Sequence, residues 1–156
     1  MEATRNGDAD GSSRLLLERQ VCFRLYVASN LVTRLYRQHL DAMGLTYPQY
    51  LVMLILWEVE PQSVGQLGER LHLDSGTLTP LLKRMETAGL VQRRRDTADE
   101  RRVLVALTET GRALRGRADA MLEALAQETC LSPGDFDELG QQLDQYISDL
   151  EEQLGT

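Results

Sequence analysis

Apolar residues recur every three or four positions from Arg14 to about Met43, at Leu17, Val21, Leu25, Ala28, Leu31, Val32, Leu35 and Leu40, with no Pro or Gly until Gly44. That period predicts one long helix of roughly 45 Å, at about 1.5 Å per residue. Tyr47-Pro48 opens a second helix with Pro in its first turn. Its continuous apolar body, Tyr50 to Trp57, predicts that it is mostly buried, and Pro61 stops it. Ser63 caps a short helix, Val64 to Leu71, and Asp74-Ser75 caps the next, whose Leu78, Leu81, Leu82 and Met85 face a core. Gly89 ends that helix. Val91 and Val103 to Leu107 read as strands around the polar turn Asp96 to Glu100. Helices resume from Thr108 to about Thr129 and again from Ser132 to Leu154. The fold class is mainly α with a small β-hairpin.

The last helix changes the picture. Phe136, Leu139, Leu143, Tyr146 or Ile147, Leu150 and Leu154 form a heptad-like stripe on an otherwise acidic segment. A single hairpin and a short helix are too small to bury it together with the stripe of the first helix. A symmetric second copy covers both. The expected organisation is a disordered tail over 1–13, a helical dimerisation region over 14–46 and 109–156, and a compact central region of short helices and the hairpin over 47–108.

Composition narrows the class of function. The 156 residues are 42% hydrophobic, enough for one domain with a real core. The longest apolar run, Leu51 to Trp57, is far shorter than a membrane span needs, and the polar amino terminus lacks the pattern of an export signal. Two cysteines 108 positions apart, with no Cys-x-x-Cys, make neither a zinc framework nor a secreted disulfide pattern. A cytoplasmic location is expected. His39 and His72 are isolated, so no metal or other cofactor is expected.

The net charge of −7 conceals a strong asymmetry. All 17 Lys and Arg lie at or before Arg117, against 14 acids, a local excess of +3; the remainder carries ten acids and no base, or −10. Between Lys83 and Arg102 the bases Lys83, Arg84, Arg93, Arg94, Arg95, Arg101 and Arg102 outnumber the acids Glu86, Asp96, Asp99 and Glu100. A basic centre beside a helix-turn-helix pattern points to DNA, because only the docking surface meets phosphate.

Three helices followed by a basic hairpin make a winged helix-turn-helix, whose recognition helix enters the major groove by its amino-terminal end. Asp74, Ser75, Gly76, Thr77 and Thr79 occupy that end. Hydroxyls and backbone N–H groups there suit phosphate oxygens, although Asp74 and Ser75 are equally readable as caps alone. Pro80 costs little near a helix start, against about 3 kcal/mol in the middle. Lys83 and Arg84, one turn later, reach backbone or base edges. Arg101 or Arg102, at the turn, has the length and charge for the minor groove. Asp99 then orients an arginine, since a carboxylate facing phosphate is repelled.

The run DSGTLTPLLKRME, then AGLV, then RRRDTADERRVLVALTETG, resembles the MarR family of winged-helix regulators. The helix start DSGTLTP is similar to the OhrR branch, which senses organic hydroperoxides. The resemblance extends from Leu17 to about Leu154: Asp99-Glu100-Arg101-Arg102 marks the broad family, and Cys22, Tyr36, Tyr47 and the helix start mark the branch. It implies a repressor that binds an inverted-repeat operator as a homodimer and releases it when a cysteine near the start of the first helix is oxidised, freeing peroxide-detoxification genes. Cys22 matches that cysteine, and Tyr26, Tyr36 and Tyr47 match the tyrosines whose hydroxyls hold its thiolate. Cys130 resembles the resolving cysteine of the two-cysteine subclass, which condenses with the sensing cysteine of the other subunit; the alternative is a free thiol, with a small-molecule thiol capping Cys22.

Helix geometry adds a constraint. Cys22 and Tyr36, fourteen residues apart on one helix, share a similar face but lie about 21 Å apart along the axis. They cannot touch within a chain, so a Tyr36 hydroxyl bonded to the Cys22 sulfur comes from the second subunit. The resemblance implies that Tyr47 serves in the same way and that Tyr26, one turn from Cys22, acts locally or from the partner; the alternative for each tyrosine is an ordinary core aromatic whose hydroxyl finds a backbone partner. Two other functions compete: a regulator released by a non-covalent phenolic or other small ligand, with Cys22 structural, and a thiol peroxidase using Cys22. The second lacks any further general acid, metal site or phosphate loop in the sequence.

Overall fold

The computed structural model describes residues 15–128 and 132–155. They divide into a unit ending at Arg115 and a unit beginning at Gly116. The tail over 1–13 and Cys130 lie outside the described residues.

The first helix is shorter than the periodicity predicts. A 3-10 turn, Leu17–Arg19, is followed by Gln20 in extended backbone, and only then by α1, Val21–Leu40. A second 3-10 turn, Asp41–Met43, tightens the far end, where Gly44 takes the left-handed conformation at φ 69°. The apolar pattern runs through Gln20 unbroken, so periodicity alone misses the break. α1 spans about 30 Å, and of its residues only Leu40 is buried.

α2, Tyr47–Glu58, begins with a capping box in which Thr46 N–H donates to Gln49 Oε1 at 2.9 Å. It buries Tyr50, Val52, Met53, Ile55 and Leu56 and forms the centre of the unit. Its helix ends at Glu58, before Pro61. β1, Gln62–Ser63, follows, a two-residue strand without an apolar signature. Ser63 then caps α3, Val64–Leu71, accepting from Gln66 N–H at 3.2 Å. His72 turns the chain at φ 51°, and α4, Ser75–Thr87, starts from Asp74. A Cβ on Gly68 would lie 2.8 Å from the Leu73 carbonyl oxygen, so glycine permits this tight joint between α3 and α4.

Gly89, at φ 72°, ends the α4 turn and leads into β2, Val91–Arg95, which pairs antiparallel with β3, Val103–Leu107. β1 pairs with the outer side of β3, giving the order β1-β3-β2. Leu67, Leu78, Leu82, Met85, Val91, Val105 and Leu107 are all essentially inaccessible. They fasten the helix-turn-helix and hairpin to α2, making a winged helix-turn-helix.

Thr108 caps α5, Glu109–Ala113, and α6, Arg115–Glu128, follows after a break at Leu114; sequence periodicity predicts one helix here. In the second unit α6 buries Ala118, Met121 and Leu125, whereas α7, Pro133–Leu154, buries nothing. No described helix is long and apolar enough to cross a membrane.

Candidate nucleic-acid interface

α4 sorts its residues by face. Leu78, Leu81, Leu82 and Met85 are buried, while Ser75, Gly76, Thr77, Pro80, Lys83 and Arg84 are exposed and Thr79 is half-buried. Asp74 caps with both oxygens: Oδ1 accepts from Thr77 N–H at 2.9 Å and Oδ2 from Thr77 Oγ1 at 3.0 Å. Those bonds, the backbone one first, hold its carboxyl below the usual range. Ser75 is the first helical residue rather than the cap. Pro80 is the sixth, so the N–H that the Gly76 carbonyl would accept is missing. The expectation of a proline near the helix start is corrected: it lies in the second turn, where Gly76 and Pro80 are both exposed.

The hairpin tip is ordered by its own acids. Asp96 N–H donates to Arg102 O and Arg102 N–H to Asp99 O, both at 2.9 Å. Asp99 Oδ1 accepts from the Arg101 backbone and from Arg101 Nε, each at 3.1 Å, and these contacts lower its pKa, the side-chain bond most. Arg102 Nη1 lies 3.9 Å from Asp96 Oδ2, and Arg95 Nη1 donates to Glu100 O at 3.2 Å. The Arg101 side chain nevertheless remains 91% exposed. Arg101 and Arg102 border, with Arg93, Thr79 and the start of α3, an open cleft of about 460 Å³.

Arg93 differs from the other bases because Glu86 on α4 holds it through three hydrogen bonds. Counting charges along the sequence misses this pair. Sequence reasoning also misses Glu60, whose carboxylate accepts from Leu107 N–H at 2.6 Å and Arg112 Nε at 2.7 Å, tying the end of β3 to α5.

Cys22, the second residue of α1, is exposed, and so is Tyr26 one turn later. Tyr36 and Tyr47 meet edge to face with centroids 5.2 Å apart; Tyr50, hidden in the apolar run of α2, lies 5.8 Å from Tyr36 and 6.3 Å from Trp57. Burial, and secondarily Tyr47, raises the Tyr36 phenol above its ordinary pKa. The structure therefore gathers Tyr36, Tyr47 and Tyr50, with Cys22 about 21 Å away along α1. Among the described residues no group of His, Cys, Asp and Glu is arranged to hold a metal ion.

Comparison with known proteins agrees with this architecture. The family model of the transcriptional regulator SarA/Rot matches residues 34–116. The chain is 54% identical over 102 residues to the organic hydroperoxide resistance transcriptional regulator of Bacillus subtilis, covering 65% of this chain and 69% of that protein. Reduced AbfR bound to DNA, a protein of Staphylococcus epidermidis, superimposes with a TM-score of 0.73 at 37% identity, covering 89% of this chain and 97% of that one. Disulfide-formed AbfR superimposes with a TM-score of 0.61 at 40% identity, covering 87% and 96%. With its helix-turn-helix, basic wing and these relatives, the chain belongs to the MarR/SarA family of winged-helix transcriptional regulators, DNA-binding proteins rather than enzymes.

Proposed function

We propose that this regulator is a homodimeric repressor of the organic-hydroperoxide-sensing branch, released from an inverted-repeat operator by oxidation of Cys22. The observation that carries the reading is the separation of Cys22 from the Tyr36–Tyr47 pair on one chain, which makes the tyrosines available to the partner's thiol. The B. subtilis relative, named for organic hydroperoxide resistance, supports the effector class.

Dimerisation is supported by two bare apolar stripes. Leu17, Val21, Leu31, Val32 and Leu35 near or on α1, and Phe136, Leu139, Ile147, Leu150 and Leu154 on α7, are all exposed in the single chain. We assign 14–46 and 109–156 to dimerisation and 47–108 to DNA. Ser75, Gly76, Thr77, Thr79, Lys83 and Arg84 face the major groove or its flanking phosphates, with Asp74 and Pro80 shaping the helix start. Arg101 and Arg102 reach the minor groove, with Arg101 held by Asp99.

The Cys22 thiolate attacks the peroxide: an S–O bond forms, the O–O bond breaks, sulfur is oxidised to sulfenic acid, and the alkoxide leaves as an alcohol after taking a proton. The partner's Cys130 thiol then displaces hydroxide as water, leaving a disulfide. Disulfide-formed AbfR is a precedent for such a state in a relative. The new bond draws the amino-terminal end of α1 towards the partner's carboxy-terminal helices, changing the spacing of the two DNA-binding lobes. A cleft of about 520 Å³ beside Tyr26, Tyr47, Arg34 and Arg37 favours, as a second reading, release by a phenolic or other small ligand.

Non-reducing electrophoresis after about one equivalent of cumene hydroperoxide per chain tests the covalent step. Wild-type protein is expected to run as a dimer, and Cys22→Ser and Cys130→Ser as monomers. Dimers in the Cys130→Ser lane contradict that partner assignment, and consumption of many equivalents with a thiol reductant indicates a peroxidase.

A further inference from the structure

Glu86 is an acid in the middle of a basic surface. It sits near the end of α4, and across the Gly89 turn its carboxylate meets Arg93 in the middle of β2. Oε1 accepts from the Arg93 backbone N–H at 2.9 Å; Oε2 accepts from Nε at 2.9 Å and Nη2 at 2.7 Å. Both side chains are partly shielded, 37% and 23% exposed, which strengthens a pair that solvent would otherwise weaken. Arg93 borders the same open cleft as Arg101 and Arg102, between the hairpin and α4.

By charge alone Glu86 is a liability, since it cancels a base beside the cleft and repels phosphate. By geometry it is a strut: a carboxylate on a rigid helix gripping both the backbone and the fork of a strand residue fixes the hairpin against that helix. We infer that Glu86 is a positioning residue for DNA binding, locking Arg93 so that the wing arginines and the exposed face of α4 meet the duplex together. A hairpin already set at the right distance spends less of its binding free energy on ordering.

Electrostatics and positioning predict opposite signs for one substitution. Glu86→Gln removes a negative charge from each lobe, so charge alone requires tighter binding with steeper salt dependence. The strut requires binding weaker by roughly five- to tenfold, because an amide has a single acceptor oxygen and cannot hold the fork and the Arg93 backbone N–H together. Glu86→Asp keeps the charge but is one methylene too short; the strut predicts a similar loss where charge predicts none. Affinities are measured by fluorescence anisotropy across a salt series, on a duplex selected by the wild-type protein from random-sequence DNA. Melting curves accompany each variant, and if Glu86→Gln melts substantially lower, the Glu86→Asp affinity decides. Unchanged or tighter binding by Glu86→Gln, or wild-type binding by Glu86→Asp, overturns the assignment.

Discussion

Replacing Gly111 by alanine is expected to lower the melting temperature by about 10 °C. Gly111 lies in α5, where the chain leaves the wing, and a Cβ there would collide with the Leu90 carbonyl oxygen and lie 3.2 Å from Leu107 Cδ2. The carbonyl cannot move aside cheaply, because it also accepts from Thr108 N–H at 3.0 Å. Nor can α5 retreat, since Gly111 N–H donates to Thr108 Oγ1 at 3.1 Å and Gly111 O accepts from Trp57 Nε1 at 3.0 Å. Overpacking of about 1–3 kcal/mol plus two strained hydrogen bonds at about 1 kcal/mol each gives a loss of about 3–5 kcal/mol. In a chain of this size each kcal/mol moves the midpoint by about 3 °C. Calorimetry decides: a drop under about 3 °C would mean that the joint relaxes freely. Gly116, with nothing within 4 Å of its built Cβ, is the control, and Gly116→Ala is expected to cause no loss.

The second large effect concerns DNA. Arg101→Ala/Arg102→Ala is expected, in the proposed dimer, to weaken binding to the selected duplex by about a thousandfold or more at low salt, from roughly 1–2 kcal/mol for each arginine in each of two lobes. The slope of log affinity against log salt should flatten by about 0.9 for each phosphate that the variant no longer neutralises. Neither side chain contributes to the buried core, and their acid partners Asp99 and Asp96 sit at the hairpin tip, so the melting temperature should hardly move. Anisotropy titrations at several salt concentrations measure both quantities. Wild-type affinity with an unchanged slope would remove the wing from the binding surface.

What the sequence made legible follows from where its signals are local. Ser63 and Asp74 announce their helices because capping is decided within four residues, and the bounds of α3 and α7 agree with the structure. Gly89 and the apolar run Val103–Leu107 likewise mark the hairpin. β1 is illegible: Gln62 and Ser63 carry no strand pattern and pair with Val105 and Leu104 through their backbones. The break at Gln20 is invisible to periodicity, since apolar residues continue on both sides. Tyr50 is masked by the apolar run containing it, although it packs with Tyr36 and Tyr47. The Glu86–Arg93 pair depends on how the chain turns at Gly89; an acid in the last helical turn facing a strand arginine was the available signal.

A mobility shift tests the redox switch most directly. Wild-type protein on an inverted-repeat duplex that it selects is treated with an organic hydroperoxide, beside Cys22→Ser on the same duplex. The prediction is release of the wild-type complex at near-stoichiometric peroxide and its recovery on adding a thiol reductant, with the Cys22→Ser complex retained throughout. Release of the Cys22→Ser complex by the same peroxide would contradict a switch at Cys22 and transfer control to a non-covalent ligand.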